Sequence, residues 1–295
     1  TLKKLLFLFR MVQLKMWKVC FRMSTKKYKP TSPGRRQRIV SDYSILTKCT
    51  PENSLLQSKK NTAGRNNVGK LTLRSRGGGN KRKYRIIDFK RNHNDVSCIV
   101  KSVEYDPFRT SFISLVHYKN GKKSYIITPS KIKIGDELFS GPKAEVKTGH
   151  VLKLSDIPIG TSIHNIELKP LKGAQLVRSA GSFALITGKN NNYVIVKLPS
   201  GEVRMINGSC SATIGKVSND EHHNTSLGLA GATRWIRRRS KVRGSVMNPC
   251  DHPHGGGEGR APIGHSGPRS KWGKPTLGFK TKNNKDTSYL IKKRK

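Results

Sequence analysis

The sequence predicts a mainly β fold in which two small barrel-like modules lie between two strongly basic arms. Three observations predict it. Short apolar runs recur at roughly ten-residue spacing, separated by turn residues and without sustained helical periodicity, which is the pattern of small barrels or sandwiches. The charge is segregated: residues 92–230 carry 17 basic and 11 acidic residues, whereas residues 23–91 carry 19 and three, and residues 231–295 carry 17 and three. Hydrophobic residues make up only 34% of the chain, enough for a modest core but not for one spanning all 295 residues.

The formal net charge of +42 repels itself in any compact state and calls for a polyanion, either nucleic acid or an anionic membrane. This composition argues against an ordinary soluble metabolic enzyme and against a multi-span membrane protein. Five cysteines, an odd number with no Cys-x-x-Cys pair, argue against a disulfide framework or a four-cysteine zinc site and suit thiols in a reducing compartment.

Residues 1–22 carry six basic and no acidic residues around Leu5-Leu6-Phe7-Leu8-Phe9. This segment is too short to span a membrane, which takes about 20 apolar residues. It fits either an organelle transit segment or a retained extension. Residues 23–91 form a basic arm leading into the first module. That module, residues 92–148, reads as strands at Cys98–Tyr105 and Phe112–Tyr118, an Asn120-Gly121 hairpin turn, then Ser124–Ile127 and Ile132–Leu138. The second module, residues 149–218 and close to the lower size for independent folding, reads as Ile163–Leu168, Phe183–Thr187, a Gly188–Asn192 turn, Tyr193–Leu198, Glu202–Ile206 and Ala212–Val217. The expected helix is short, from Leu229 to about Arg239. Residues 219–295 are a basic, glycine-rich extension. A fragment of residues 92–230 is expected to fold on its own, and the arms to order against phosphate.

In the first arm, Arg74-Ser75-Arg76-Gly77-Gly78-Gly79-Asn80-Lys81-Arg82-Lys83 combines glycines, which let a backbone approach closely and offer its N–H groups to phosphate, with cations that bind phosphate or stack on bases. It lacks the spacing of a P-loop. The second arm is more specific: Arg243-Gly244-Ser245-Val246-Met247-Asn248-Pro249-Cys250-Asp251-His252-Pro253-His254-Gly255-Gly256-Gly257-Glu258-Gly259-Arg260, followed by Trp272-Gly273-Lys274. With these motifs, and with Arg76–Gly79, Glu104-Tyr105-Asp106-Pro107, His164-Asn165-Ile166-Glu167 and Ser179-Ala180-Gly181, the sequence closely resembles the ribosomal large-subunit protein 2 family over residues 26–295. It departs from the family pattern at Asn80, where His is usual, at Cys250, where Val is usual, and around Arg269-Ser270-Lys271-Trp272. Residues 1–22 have no counterpart.

The resemblance implies an OB-like barrel followed by an SH3-like barrel, with extensions threaded into large-subunit rRNA near the peptidyl transferase centre. It implies roles in assembly of that centre and in subunit association. The residues assigned to rRNA are Arg65, Arg74, Arg76, Gly77, Gly78, Gly79, Lys81, Arg82, Lys83, Arg178, Arg234, Arg237, Arg238, Arg239, Lys241, Arg243, Asn248, His252, His254, Gly255, Gly256, Gly257, Arg260, Trp272 and Lys274, with Asp251 and His252 proximal to the peptidyl transferase region. The implied partners are large-subunit rRNA, neighbouring ribosomal proteins, and small-subunit rRNA or proteins at an intersubunit bridge, with no membrane and no small-molecule substrate. No cofactor is expected beyond Mg2+ associated with rRNA, no metal site on the protein, and no enzyme activity. The Lys- and Asn-rich bias and the text around Tyr105–Thr110 are closest to mitochondrial versions, and Arg260–Gly264 keeps plastid forms as the alternative.

Several single residues admit rival readings. His252 as a general acid–base residue lacks a nucleophile or oxyanion hole, so rRNA positioning, with Asp251 as an orienting acceptor, is favoured. Cys250, His252 and His254 alternate as metal ligands on a strand would, but lack a fourth ligand. Trp235 is read as packing at the junction of barrel and arm, and Trp272 as stacking on RNA. Residues 243–260 are expected to be extended.

Overall fold

The computed structural model describes residues 25–92, 96–259, 261–278 and 289–292; the transit-like segment 1–22, with Cys20, lies outside them, as does Arg260. The described residues fall into two compact units. One is drawn from Thr1–Lys59, Arg82–Leu229 and Ile291–Lys295, the other from Lys60–Lys81 and Ala230–Leu290.

In chain order the strands are β1 (Thr25–Lys27), β2 (Ile39–Ser41), β3 (Leu56–Ser58), β4 (Lys83–Arg85), β5 (Cys98–Glu104), β6 (Ile113–Tyr118), β7 (Lys123–Ile127), β8 (Glu137–Leu138), β9 (Val151–Lys153), β10 (Ser162–His164), β11 (Ile166–Glu167), β12 (Ala174–Leu176), β13 (Ala184–Asn190), β14 (Tyr193–Lys197), β15 (Val203–Asn207), β16 (Ser211–Ile214) and β17 (Leu290–Lys292). The helices are α1 (Pro33–Arg36) and α2 (Ala230–Trp235). The fold is mainly β, an OB-like barrel followed by an SH3-like barrel.

The OB-like barrel is built on an antiparallel sheet ordered β7-β6-β5-β8. Alternate residues face opposite sides. On one side Ile113, Leu115, Tyr125 and Ile127 pack with Ile87 and Val217; on the other Val116, Tyr118 and Ile126 pack with Cys98, Val100 and Leu138. Both faces are therefore covered, which is why these strands read as continuous apolar runs. The core also draws on the preceding arm: Ile87 is buried, Leu55 and Phe89 pack against it, and the buried Arg91 donates to the Gly149 carbonyl at 2.8 Å. A fragment starting at residue 92 would lack all four, so the expectation that 92–230 folds alone needs these residues added. At Asn120-Gly121 only the glycine has positive φ (80°), and the Tyr118 amide donates to Lys122, so the connection is a longer loop with a glycine bulge instead of a two-residue turn.

The SH3-like barrel is a sheet ordered β17-β15-β14-β13-β10-β16-β9. Its inward residues alternate along each strand: Ala184 and Ile186, Val194 and Val196, Ala212 and Ile214, with Ile163 and Leu154 filling the centre. Two expected elements differ, one a turn and one a strand. Gly188–Asn190 continues β13, because a bulge between Ile186 and Gly188 re-aims the strand and lets pairing run on to Asn190 opposite Tyr193. In the first barrel, Ile132–Asp136 is a turn and not a strand: Gly135 takes φ 92° and Asp136 Oδ2 accepts the Lys133 amide at 2.8 Å.

Carboxylates and a histidine clasp these barrels from inside. Glu104 accepts Ser102 Oγ at 2.9 Å and Tyr125 Oη at 2.7 Å, while Tyr125 Oη accepts the Glu52 amide at 2.8 Å. Burial and the Glu104 hydrogen bond push the Tyr125 phenol well up. Glu167 accepts the amides of Gly173 at 2.8 Å and Ser211 at 3.0 Å. Asp106 pairs with Arg109 and accepts the Phe108 amide. His164, fully buried, bonds the Gly215 carbonyl through Nδ1 at 2.8 Å, and burial pushes its pKa down to about 4.

His164 is thus neutral in the fold and protonatable when unfolded. Its contribution is fully present above pH 6.5, and falls as pH drops toward 4, by up to about 3 kcal/mol. His164→Gln keeps a donor for Gly215 without titrating. Urea midpoints measured from pH 7 to 4 should fall less steeply in the variant than in the parent.

Candidate nucleic-acid interface

The second unit assembles most of the sequence-assigned cations. Residues 74–80 run alongside residues 234–242. Arg76 bridges Arg238, the Arg239 amide donates to Ser75, the Gly77 amide to Arg237 at 3.3 Å, and the Asn80 amide to Trp235 at 3.2 Å. Arg74 reaches the Val242 carbonyl. This brings together Arg74, Arg76, Arg234, Arg237, Arg238 and Arg239, from stretches far apart in sequence. None of these, nor Lys241 or Arg243, forms an ion pair among the described residues. The cluster is held by backbone bonds, leaving its charge uncompensated. Arg65 is exposed beside a loop closed by Asn66, whose Oδ1 accepts the Val68 and Lys70 amides.

The glycine triplet serves this packing. A Cβ on Gly79 would lie 2.7 Å from the Trp235 carbonyl and 2.9 Å from that of Arg234, and Gly77 is buried with its amide in use. Gly78 alone of the three is exposed with open space where a Cβ would stand. The reading of three amides free for phosphate therefore fails at Gly77. Lys81 is exposed.

Residues 243–259 are folded back, not extended. The His252 amide donates to Asn248, that of Gly255 to His252, and that of Gly256 to Met247 at 3.2 Å. A Cβ on Gly255 would meet the Asn248 carbonyl at 2.3 Å, so the glycines close a protein loop instead of leaving the chain straight. His252 is only 5% exposed, packed on Gly244, with Nδ1 accepting the His254 amide at 3.0 Å. That bond orients the ring; Asp251, exposed, makes no bond to it. Burial, then His254, Arg74 and Lys271, holds the His252 pKa below the usual imidazole value. With Nδ1 accepting, the proton of the neutral ring sits on Nε2, a donor.

His254 Nε2 accepts the Arg269 amide at 2.8 Å. Arg269 and Pro275 bridge a small hairpin, and its turn at Ser270–Lys274 carries Trp272, 51% exposed, beside Lys274. Cys250 is exposed, and the described residues contain no cluster of three metal-ligating side chains. Trp235 is 49% exposed, at variance with its expected packing role.

Two assigned residues sit in the first unit on aromatic rings: Arg82 lies 4.5 Å over Phe108 and Arg178 4.8 Å over Phe89. Lys83 is exposed on β4. Family models match both halves of the chain: "Ribosomal Proteins L2, RNA binding N-terminal domain" over residues 52–140 and "Ribosomal Proteins L2, C-terminal domain" over residues 147–273. The chain belongs to the ribosomal protein L2 family. It is accordingly a structural constituent of the large ribosomal subunit that binds rRNA, within a family of structural proteins. The motifs that carried the resemblance divide in two. In this L2 chain Glu104–Pro107 and His164–Glu167 are internal clasps of the barrels, whereas Arg76–Gly79 and Arg243–Gly259 build the cationic unit.

Two aromatic contacts are not marked in the sequence: Tyr43 with Tyr105, about half exposed with rings 5.5 Å apart, and Lys59 with Tyr84 and Phe108. No periodicity marks either contact; both arise from tertiary pairing.

The L2 glycine triplet yields a paired prediction. Gly79→Ala should detach residues 74–80 from 234–239, seen as faster hydrogen exchange at the Gly77 and Asn80 amides. Gly78→Ala, with only its φ of 64° to resist it, should cost about 1 kcal/mol and leave that exchange slow.

Proposed function

We propose that the chain is a non-catalytic architectural component of the large subunit. In this reading its cationic second unit threads rRNA near the peptidyl transferase region, and its barrels anchor that unit. It supports assembly of that region and contacts small-subunit rRNA or proteins at an intersubunit bridge. Mg2+ held by the rRNA completes the interface, and no membrane or small-molecule substrate takes part. The ribosome is mitochondrial, with a plastid ribosome as the alternative. The observation that carries the reading is the arginine cluster on residues 74–76 and 234–239, which forms no ion pair among the described residues. Phosphate supplies that charge, and Trp272 on its turn offers a face for stacking.

Each phosphate neutralised releases counterions, so affinity falls with salt. Exchanging Arg238 and Arg239 together for Ala should weaken rRNA binding across sequences and lower the slope of log K against log salt by about 1.4–1.8. Filter binding across a salt series reads both. An unchanged slope would show that these arginines do not meet phosphate.

The buried, Nε2-protonated His252 suits a hydrogen-bond donor better than a proton shuttle. Particles carrying His252→Gln, once fully assembled, should keep most of their single-turnover peptide-bond formation, with any defect falling on assembly. Loss of several orders of magnitude in the chemical step of intact particles would restore the catalytic reading.

A further inference from the structure

Within the first unit a cavity of about 460 Å³ opens between the two barrels. It falls in the range of about 300–1,000 Å³ occupied by small-molecule sites. Pro142, Val151, Leu152 and Leu171 make its walls apolar, and Lys90 and Lys153 stand exposed on its lining. Neither lysine forms an ion pair among the described residues. The lining carboxylate, Glu167, has both oxygens committed to backbone amides. The cavity therefore combines an apolar floor with net positive charge.

The wall that carries Leu171 is held in an unfavourable backbone conformation. Leu171 has φ 61° and is 74% exposed. L residues, bulky and branched ones above all, seldom take such angles. The surroundings enforce it: the Lys172 amide donates to Lys169, that of Gly173 to Glu167, and that of Ala174 to Phe89. A glycine would meet the φ at position 171 without strain, and packing inside the fold does not require an exposed leucine there. Strain of this kind persists where a site uses it.

We infer that this cavity receives one extruded nucleotide of the rRNA, its base against Leu171 and the apolar wall and its phosphate between Lys90 and Lys153. The inference rests on the rRNA-binding role of the family but concerns the barrels and not the cationic arms. The exposed lysines favour an anionic ligand over an extension of a protein as basic as this one.

A photo-crosslinking amino acid in place of Leu171, in assembled particles, should join a single rRNA nucleotide, mapped by primer extension. Crosslinks to protein, or a scatter of RNA positions, would overturn the inference. Leu171→Gly relieves the φ, so the melting temperature of the free chain should hold or rise. Its rRNA affinity should fall about five-fold, and the mapped nucleotide should become reactive to base-specific probes while footprints of the arms persist. Unchanged affinity together with unchanged reactivity would reduce the cavity to a packing feature. Absence of arm footprints in unsubstituted particles would remove the rRNA-binding premise, and the inference with it.

Discussion

The second unit depends on one imbalance: many cations are gathered by backbone hydrogen bonds and form no ion pair with a carboxylate among the described residues. Arg76 and Arg238 are bridge partners, and Arg239 is tied to Ser75. Two like charges a few ångströms apart repel by roughly 1 kcal/mol in water and several-fold more where water is excluded. The chain accepts that repulsion in a region with little apolar core. Ala232 is the buried apolar residue of α2. Such a unit is stabilised by any polyanion laid against it.

The first unit solves the opposite problem. There three acidic residues are turned inward and used as acceptors for backbone and hydroxyl donors. Glu104, Asp106 and Glu167 are each buried, and each is hydrogen-bonded to neighbours. The segment before β5 joins the two barrels. The Asp88 amide donates to Tyr125 in the first, while the Phe89 carbonyl accepts Ala174 and Arg91 donates to Gly149 in the second. The balanced charge of the middle of the chain is therefore not only a lack of RNA-facing cations. Its carboxylates are part of the scaffold.

Whereas the OB-like strands, covered on both faces, read as continuous apolar runs, strand alternation made the SH3-like barrel legible from sequence, because each inward side chain had to be apolar. Residues 184–198 and 212–214 declared themselves this way. What failed to show was decided by single contacts. Gly188–Asn190 has the composition of a turn, but a bulge keeps it in the ladder. Ile132–Asp136 alternates like a strand, yet Asp136 caps it into a turn. Residues 243–259 have the glycines and prolines of an extended arm, and local carbonyls close them into a loop instead. In the candidate site the residue types were legible, whereas their gathering was not: no pattern in residues 74–80 announces residues 234–239 as their partner.

The glycines carry this last point furthest. A glycine-dense arm invites the thought that side chains were removed to admit RNA. At Gly79 and Gly255 the space a Cβ would need is already filled by the protein's own carbonyls. The primary reason for glycine there is chain against chain, and it would hold in the absence of any ligand. Gly78 has no such neighbour. It is the position of the triplet where close approach by a phosphate remains the better physical account. The same residue type in three consecutive positions thus answers two constraints. The first shapes the loop, and the second concerns what the shaped loop can touch.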